Sequence, residues 1–393
     1  MKAIQLQPEL QKAADELGYS VWTDIQLRTM PLIQEGRDVI GQSRTGSGKT
    51  AAFGLPLLEK TIHRAGLQAL ILVPTRELCE QVMSELHKFA KHKRMNILAI
   101  YGGVSIDPQI KKLQTADVVV GTPGRILDHL SRQTLDIRKI RTVVLDEADK
   151  MFEMGFIDDV KRILSPLPPH QTMLFSATIN QDVHMIAKHF MHNPETIKVQ
   201  SYVDHSKMGQ EFYAISSRDK FSLLVHLLKT EQPSLAIIFC ATRDRVDMVN
   251  RNLYKNGIQS QALHGGLSQN RRKNAMDLFH QGKVNILVAS DVAARGLDIQ
   301  NVSHVINFDI PNSSKEYIHR IGRTARAGKE GKVVSLVAEP DHDNFRSILG
   351  DSSLNITQMQ IPQFERIHLM PHRHAEHGRG NFQRRRSFSH HRR

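Results

Sequence analysis

Cysteine is scarce in this 393-residue chain: Cys79 and Cys240 are its two, and they sit in unrelated contexts. Neither a disulfide framework nor a cysteine-rich zinc site can be built from that pair, and a reducing compartment is the expectation. Aromatic residues make up 6% of the chain, with Trp22 the single tryptophan. No window approaches about 18 uninterrupted apolar residues, and Met1 to Gln11 lacks a basic-then-apolar leader, so neither a membrane span nor export is expected. No solenoid-type repeat is present, and low complexity is confined to the end of the chain. Acids are outnumbered: 53 Lys and Arg against 40 Asp and Glu give a net charge of +13, which suggests a polyanionic partner. Residues 366–393 hold eight arginines and six histidines against a single acid, Glu376. This reads as a disordered basic arm, either a solubility tail or a grip on phosphates, and Phe382 and Phe388 among the arginines favour nucleic acid through stacking.

The chain is too long for one ordinary core and suits two domains of about 150 to 200 residues. Apolar, β-rich runs recur at Ala69–Val73, Ile97–Ile100, Val118–Val120, Val143–Leu145 and Met173–Phe175, with amphipathic helical segments between them. That alternation predicts an α/β domain with a parallel sheet. The second half repeats it at Leu235–Phe239, Gln261–Leu263, Ile286–Val288, His304–Phe308 and Val333–Val337. Lys198 to Gln210 is polar and aperiodic. The expected organisation is a first domain over 1–197, a linker over 198–210, a second domain over 211–365 and the arm over 366–393.

Two motifs carry chemistry. Gly46-Ser47-Gly48-Lys49-Thr50 follows the apolar run Asp38–Gly41, and a glycine-rich turn there can offer backbone N–H groups to phosphates while Lys49 and Thr50 reach phosphate and Mg²⁺. Ser43 occupies the first glycine position of the G-x-x-x-x-G-K-T spacing. Val143-Val144-Leu145 then runs into Asp146-Glu147-Ala148-Asp149, the adjacent carboxylates that metal-assisted nucleotide hydrolysis needs. Each motif lies at the carboxyl end of an apolar strand, where open α/β sheets bind ligands. The second half has no phosphate loop, so it is expected to complete the first domain's site. Arg320, Arg323 and Arg326, three apart, could converge there on phosphates, although a basic helix is more often a solvated face.

From about Pro8 to Ala338 the chain resembles the DEAD-box family of RNA helicases, in that family's motif order. Gly18-Tyr19, Thr23 and Ile25-Gln26 resemble the Q motif, Ser43–Thr50 the Walker A loop and Pro74–Leu78 motif Ia. Gly102-Gly103 and Thr122–Arg125 match the motif Ib region, Asp146–Asp149 motif II and Ser176-Ala177-Thr178 motif III. Ile238-Phe239 matches motif IV, Gln269 with Arg272 the Gln-x-x-Arg element, Ser290-Asp291 with Ala294–Asp298 motif V, and His319–Arg326 motif VI.

The resemblance implies two tandem RecA-like domains that use ATP and Mg²⁺. It gives Tyr19, Gln26, Thr45, Gly46, Ser47, Gly48, Lys49, Thr50, Asp298, Arg323 and Arg326 to nucleotide binding, with Gln26 on the adenine and Asp298 on the ribose. Lys49 would neutralise phosphates, Thr50 and Asp146 would hold Mg²⁺, the latter through water, and Glu147 would orient the attacking water. Arg323 and Arg326 would stabilise the transition state. Pro74, Thr75, Arg76, Gly102, Gly103, Thr122, Pro123, Gly124, Arg125, Thr242, Arg243, Gly265, Arg272 and Ser290 would contact RNA sugar and phosphate with little sequence preference. Asp149, Ser176, Thr178, Asp291 and His319 would couple the domains.

The sequence departs from the family at Trp22 and Asp24, where prolines are usual, at Met1, where an upstream aromatic is usual, and at Ala325 and Ser290, where glycine and threonine are commoner. The expected protein is a cytoplasmic, monomeric, RNA-dependent ATPase that locally unwinds short duplexes or remodels RNA–protein complexes. An ATP-gated RNA clamp that nucleates a complex is the alternative, and a DNA translocase is disfavoured. Ordinary helix capping by Thr122 also stays open, and His184, His189 and His192 are expected to be plain surface or core histidines.

Overall fold

The computed structural model describes residues 4–43, 46–199, 208–294, 299, 302–324 and 331–367. The first domain's strands are β1 (Val39–Gln42), β2 (Ala69–Leu72), β3 (Ile97–Ile100), β4 (Val118–Gly121), β5 (Thr142–Asp146), β6 (Gln171–Ser176) and β7 (Glu195–Lys198). The second domain has β8 (Met208–Ala214), β9 (Ala236–Cys240), β10 (Gln261–Leu263), β11 (Ile286–Ser290), β12 (His304–Asn307), β13 (Gly331–Val337) and β14 (Thr357–Gln358). Both sheets are wholly parallel, in the orders β3-β4-β2-β5-β6-β1-β7 and β10-β11-β9-β12-β13-β8-β14. The second order repeats the first strand for strand. Helices cover both faces, which is why β2, β4, β5, β9 and β11 are buried along their whole length and read as unbroken apolar runs.

Three strands escaped the sequence reading, and each is polar or at an edge. β7 and β14 are the outermost strands of their sheets and are half-exposed or exposed. β8 carries Gln210 and Glu211 beside Gly209, and it begins inside the segment expected as linker, as β7 ends there. Arg366 and Ile367, expected in the basic arm, instead lie on the second domain: Ile367 N donates to Ser222 Oγ at 3.0 Å and Arg366 pairs with Asp219 at 3.1 Å.

The strand order places the functional loops. Because β5, β6 and β1 are neighbours, the phosphate loop, Asp146-Glu147 and Ser176–Thr178 emerge side by side. Because β3, β4 and β2 are neighbours, Gly102-Gly103, Thr122–Arg125 and Pro74–Arg76 form a separate cluster on the same sheet edge. The second sheet gathers Gly265, Ser290 and Thr242-Arg243 in the same way beyond β10, β11 and β9.

The repeat also shows why the second domain lacks a phosphate site of its own. Lys220 opens the helix after β8 as Lys49 opens the helix after β1. Its ammonium is consumed internally, by Phe308 O at 2.8 Å and Asp341 Oδ2 at 2.6 Å.

Candidate nucleotide site and nucleic-acid interface

Gly46 and Gly48 take φ of +83° and +91°, the left-handed region that glycine enters without strain, so the phosphate loop can turn sharply into the helix Lys49–Lys60. A Cβ on Gly48 would lie 2.4 Å from Gln26 Nε2, so the loop also needs glycine for close approach. Ser43 serves in place of glycine because its backbone is not left-handed; its hydroxyl meets that of Ser47 at 2.8 Å. Lys49, buried, donates to Ser43 O at 2.9 Å. Thr50 is the next residue of the same helix.

Gln26 bonds at both ends of its amide, accepting from Thr23 N at 2.8 Å and donating to Gly48 O at 3.0 Å. It therefore ties the helix Asp24–Gln34 to the phosphate loop. Tyr19 is half-buried, its ring centroid 5.6 Å from Trp22 and 5.9 Å from Phe89. Trp22 is thus an aromatic neighbour for Tyr19, a contact proline could not make.

Asp146 closes β5 and accepts from Glu147 N at 2.9 Å. Burial raises its carboxyl to about 6, against the pull of Lys49. Glu147 sits in the left-handed region at φ 51°, capping the helix Ala148–Glu153. Burial alone would raise its carboxyl too, but the charges of Lys150, Lys49 and Arg323 outweigh it and hold Glu147 at about 2. Arg323 belongs to the second domain, so its influence on Glu147 is exerted across the interface. Asp149 Oδ2 accepts from Thr178 N and Thr178 Oγ1, both at 3.0 Å, and Ser176 Oγ donates to Thr178 O at 2.7 Å while accepting from Asp149 N at 3.3 Å. The three residues form one buried network.

From the second domain, the helix Ser314–Ile321 faces the helix Ala148–Glu153. Lys315 pairs with Glu153. His319 is held at about 4, first by burial and then by the charge of Lys150 across the interface. Asp291, expected to couple the domains, bonds within the second domain, taking Arg320 Nε at 2.7 Å and Nη2 at 2.6 Å. Arg320 also donates to Asn307 Oδ1 and Asp309 O and lies 4.9 Å from the Phe239 ring centroid. A buried guanidinium needs all of those partners, which makes Arg320 the structural member of its arginine trio. Thr45, Asp298 and Arg326 lie outside the described residues.

On the other half of the first sheet edge, Arg76 packs over Gly103, where an added Cβ would fall 2.0 Å from Arg76 Nη1. Arg125 donates to Val104 O at 3.0 Å and to Gln109 Oε1 at 3.3 Å, while Gly124 is exposed over open space. Thr75 and Thr242 cap their helices, accepting from Leu78 N and Arg245 N, each at 3.2 Å. Thr122 stands at an N-cap without using its hydroxyl there, so the capping role left open for it does not apply. Arg243 lies about 3.9 Å from the Cβ position of Gly265. Pro74 lies buried in the loop after β2, Pro123 opens the helix Pro123–Ser131, Ser290 is buried at the end of β11, and Gly102 borders Arg76.

Arg272, expected to contact RNA, also reaches the first domain. Its Nη2 meets Glu77 of the first domain at 2.9 Å, and Gln269 Nε2 donates to the same carboxylate at 3.3 Å. Glu77, Lys150, Glu153 and Lys315 are the residues sequence reasoning passed over. Lys150 had a signal, a lysine three residues after Glu147 in a helix; the others meet partners far away in the chain.

A phosphate loop after β1, a carboxylate pair at the end of β5 on the far side of β6 and an arginine supplied by a second RecA-like domain define a two-domain NTPase of the helicase type. The chain belongs to the DEAD-box family. Residues 23–186 match the DEAD/DEAH box helicase model and residues 219–328 the helicase conserved C-terminal domain. It is 44% identical over 368 residues to the DEAD-box ATP-dependent RNA helicase CshA of Bacillus cereus, covering 93% of this chain and 70% of that one. With the Bacillus subtilis protein of the same name it shares 44% over 364 residues, 92% of this chain and 74% of that one. Among solved structures it resembles Saccharomyces cerevisiae Dbp5 bound to RNA and ADP BeF3, at a TM-score of 0.81 and 32% identity over 90% of this chain and 94% of that one. A DEAD box protein from Methanococcus jannaschii is more similar in sequence, at 38% over 91% and 98% of the two chains, but scores 0.54. Within this chain Glu77 and Glu153 each pair with a residue of the second domain, so the two domains meet on this face.

Proposed function

We propose that this protein is an ATP-dependent RNA helicase whose hydrolysis is gated by closure of its two domains. The carrying observation is that Glu147 and the phosphate loop belong to the first domain while Arg323, which helps hold Glu147 ionised, belongs to the second. RNA bound across both sheet edges would favour the closed arrangement by differential affinity, and so couple RNA binding to turnover.

The residues fit ATP with Mg²⁺. A buried carboxyl raised to about 6 at Asp146 calls for a cation, and Lys49 donates its hydrogen bond to a neutral carbonyl, Ser43 O, which phosphate would replace. ATP·Mg²⁺ supplies the scissile phosphoanhydride bond and the cation that screens it. Lys49 would neutralise the phosphates, Thr50 and Asp146 would hold the cation, and Glu147 would orient the attacking water. Arg323, with Arg326, would balance charge that develops on the transferred group. Gln26 would keep the adenine edge in register with the loop it already bonds.

Arg76, Gly103, Thr122 and Arg125 in the first domain, with Thr242, Arg243 and Gly265 in the second, would take RNA sugar and phosphate. Opening of a short duplex would follow from straining one strand between the closed domains. The test is steady-state ATP hydrolysis by the purified chain, alone and with matched single-stranded RNA or DNA. RNA should stimulate it strongly and DNA weakly; equal stimulation would refute an RNA-specific enzyme. Glu147→Gln should abolish turnover yet keep ATP-dependent RNA binding, and full activity in that variant would refute the site.

A further inference from the structure

Lys150 follows the Asp146–Asp149 motif directly, and no role was assigned to it from the sequence. Its Nζ lies 2.8 Å from Glu147 Oε1, and the two side chains are 6% and 4% exposed. The backbone holds both ends of this contact. Glu147 is the left-handed N-cap of the helix Ala148–Glu153, and Lys150 N donates to Asp149 Oδ1 at 3.0 Å, on the carboxylate that also binds Thr178. Within one helical turn, an i to i+3 pair needs no help from the other domain. Arg323, by contrast, reaches Glu147 only when the domains are closed.

We propose that Lys150 is a positioning residue for hydrolysis, fixing the Glu147 carboxylate through Oε1 before the second domain arrives. A buried carboxylate with a single conformation needs a cation that does not come and go, and Lys150 is the one placed on the same turn. Closure then adds Arg323 to an already oriented base. The inference rests on the reading of Glu147 as the residue that orients water, and a parallel Glu147→Gln variant separates the two failures.

The experiment compares Lys150→Met, Lys150→Arg and Glu147→Gln with the parent. It measures kcat and KM for ATP at saturating RNA, turnover without RNA, and RNA affinity in the presence of ADP·BeF3. Lys150→Met should lower kcat about tenfold to a hundredfold, as loss of a supporting partner does, while KM and analogue-dependent RNA affinity stay within about twofold. Lys150→Arg keeps a cation at that reach and should recover most of the loss. A fall in kcat together with a raised KM and weakened RNA affinity in both lysine variants would mean a merely structural ion pair and overturn the inference. Unchanged kcat in Lys150→Met, or a rise in RNA-free turnover, would overturn it as well, the latter by making Lys150 a brake. If Glu147→Gln also turned over normally, the reading of Glu147 would fall first.

Discussion

Asp146 and Glu147 are adjacent, equally buried carboxyls, yet their surroundings drive them apart. Burial raises Asp146 to about 6 from an ordinary 3.8, while Lys150, Lys49 and Arg323 reverse the same effect at Glu147 and hold it at about 2. Opposite pH dependences follow. A raised Asp146 contributes stability that is present below its unfolded value and is lost as pH rises through about 6; Glu147 contributes stability that is present at neutral pH and lost as pH falls toward 2. Without nucleotide, Asp146→Asn should therefore be more stable than the parent at pH 8, by about 3 kcal/mol, with the gap closing toward pH 4. Thermal melts across that range check it, and a constant gap would contradict it.

At the scale of elements, two pairs of helices meet across the domain interface among the described residues. One is Glu77 with Arg272 and Gln269, between the helices Arg76–Phe89 and Gln269–His280. If Arg272 closes the domains, Glu77→Ala and Arg272→Ala should each weaken RNA binding about tenfold with ADP·BeF3 present, and the double variant should be no worse than the poorer single one. Loss confined to Arg272→Ala, without nucleotide as well, would return Arg272 to the RNA surface. The other contact is His319 against the helix Ala148–Glu153. Held at about 4 from an ordinary 6.5, His319 favours closure in its neutral form, so closure is fully supported above pH 6.5 and weakens as pH falls toward 4. Interdomain energy transfer with analogue and RNA should follow that curve, and His319→Gln should flatten it.

For the whole molecule, the basic arm leaves from a defined place. Arg366 and Ile367 are pinned to Asp219 and Ser222 beside the helix Lys220–Glu231, and β14 adds parallel to β8 just before them. The arginines beyond residue 367 therefore follow on in the chain from the second domain. Removing residues 368–393 should leave RNA-saturated ATP hydrolysis within about twofold, while weakening duplex unwinding and lessening the salt dependence of RNA affinity. Loss of hydrolysis itself would show that the arm belongs to the catalytic core, and unchanged unwinding would leave it a solubility tail.

Local chemistry was legible in the chain. Lys49, Thr50, Asp146 and Glu147 could be identified because phosphate loops and strand-end carboxylates are contiguous motifs, and most strands because burial on both faces makes them apolar throughout. β7, β8 and β14 were not legible, since an edge or polar strand has no such pattern. The resemblance named Arg323 and His319, but sequence spacing alone could not choose Arg323 over Arg320. That choice belongs to tertiary structure: Asp291, Asn307 and Phe239 converge on Arg320 from three strand ends, and the interface turns Arg323 toward Glu147. The same holds for Glu77 with Arg272. The chain by itself determined which groups could do chemistry, because that depends on residue type and near neighbours; only the folded, closed molecule decided which of them meet, because charges far apart in sequence find each other through the order of strands and the placement of the two sheets.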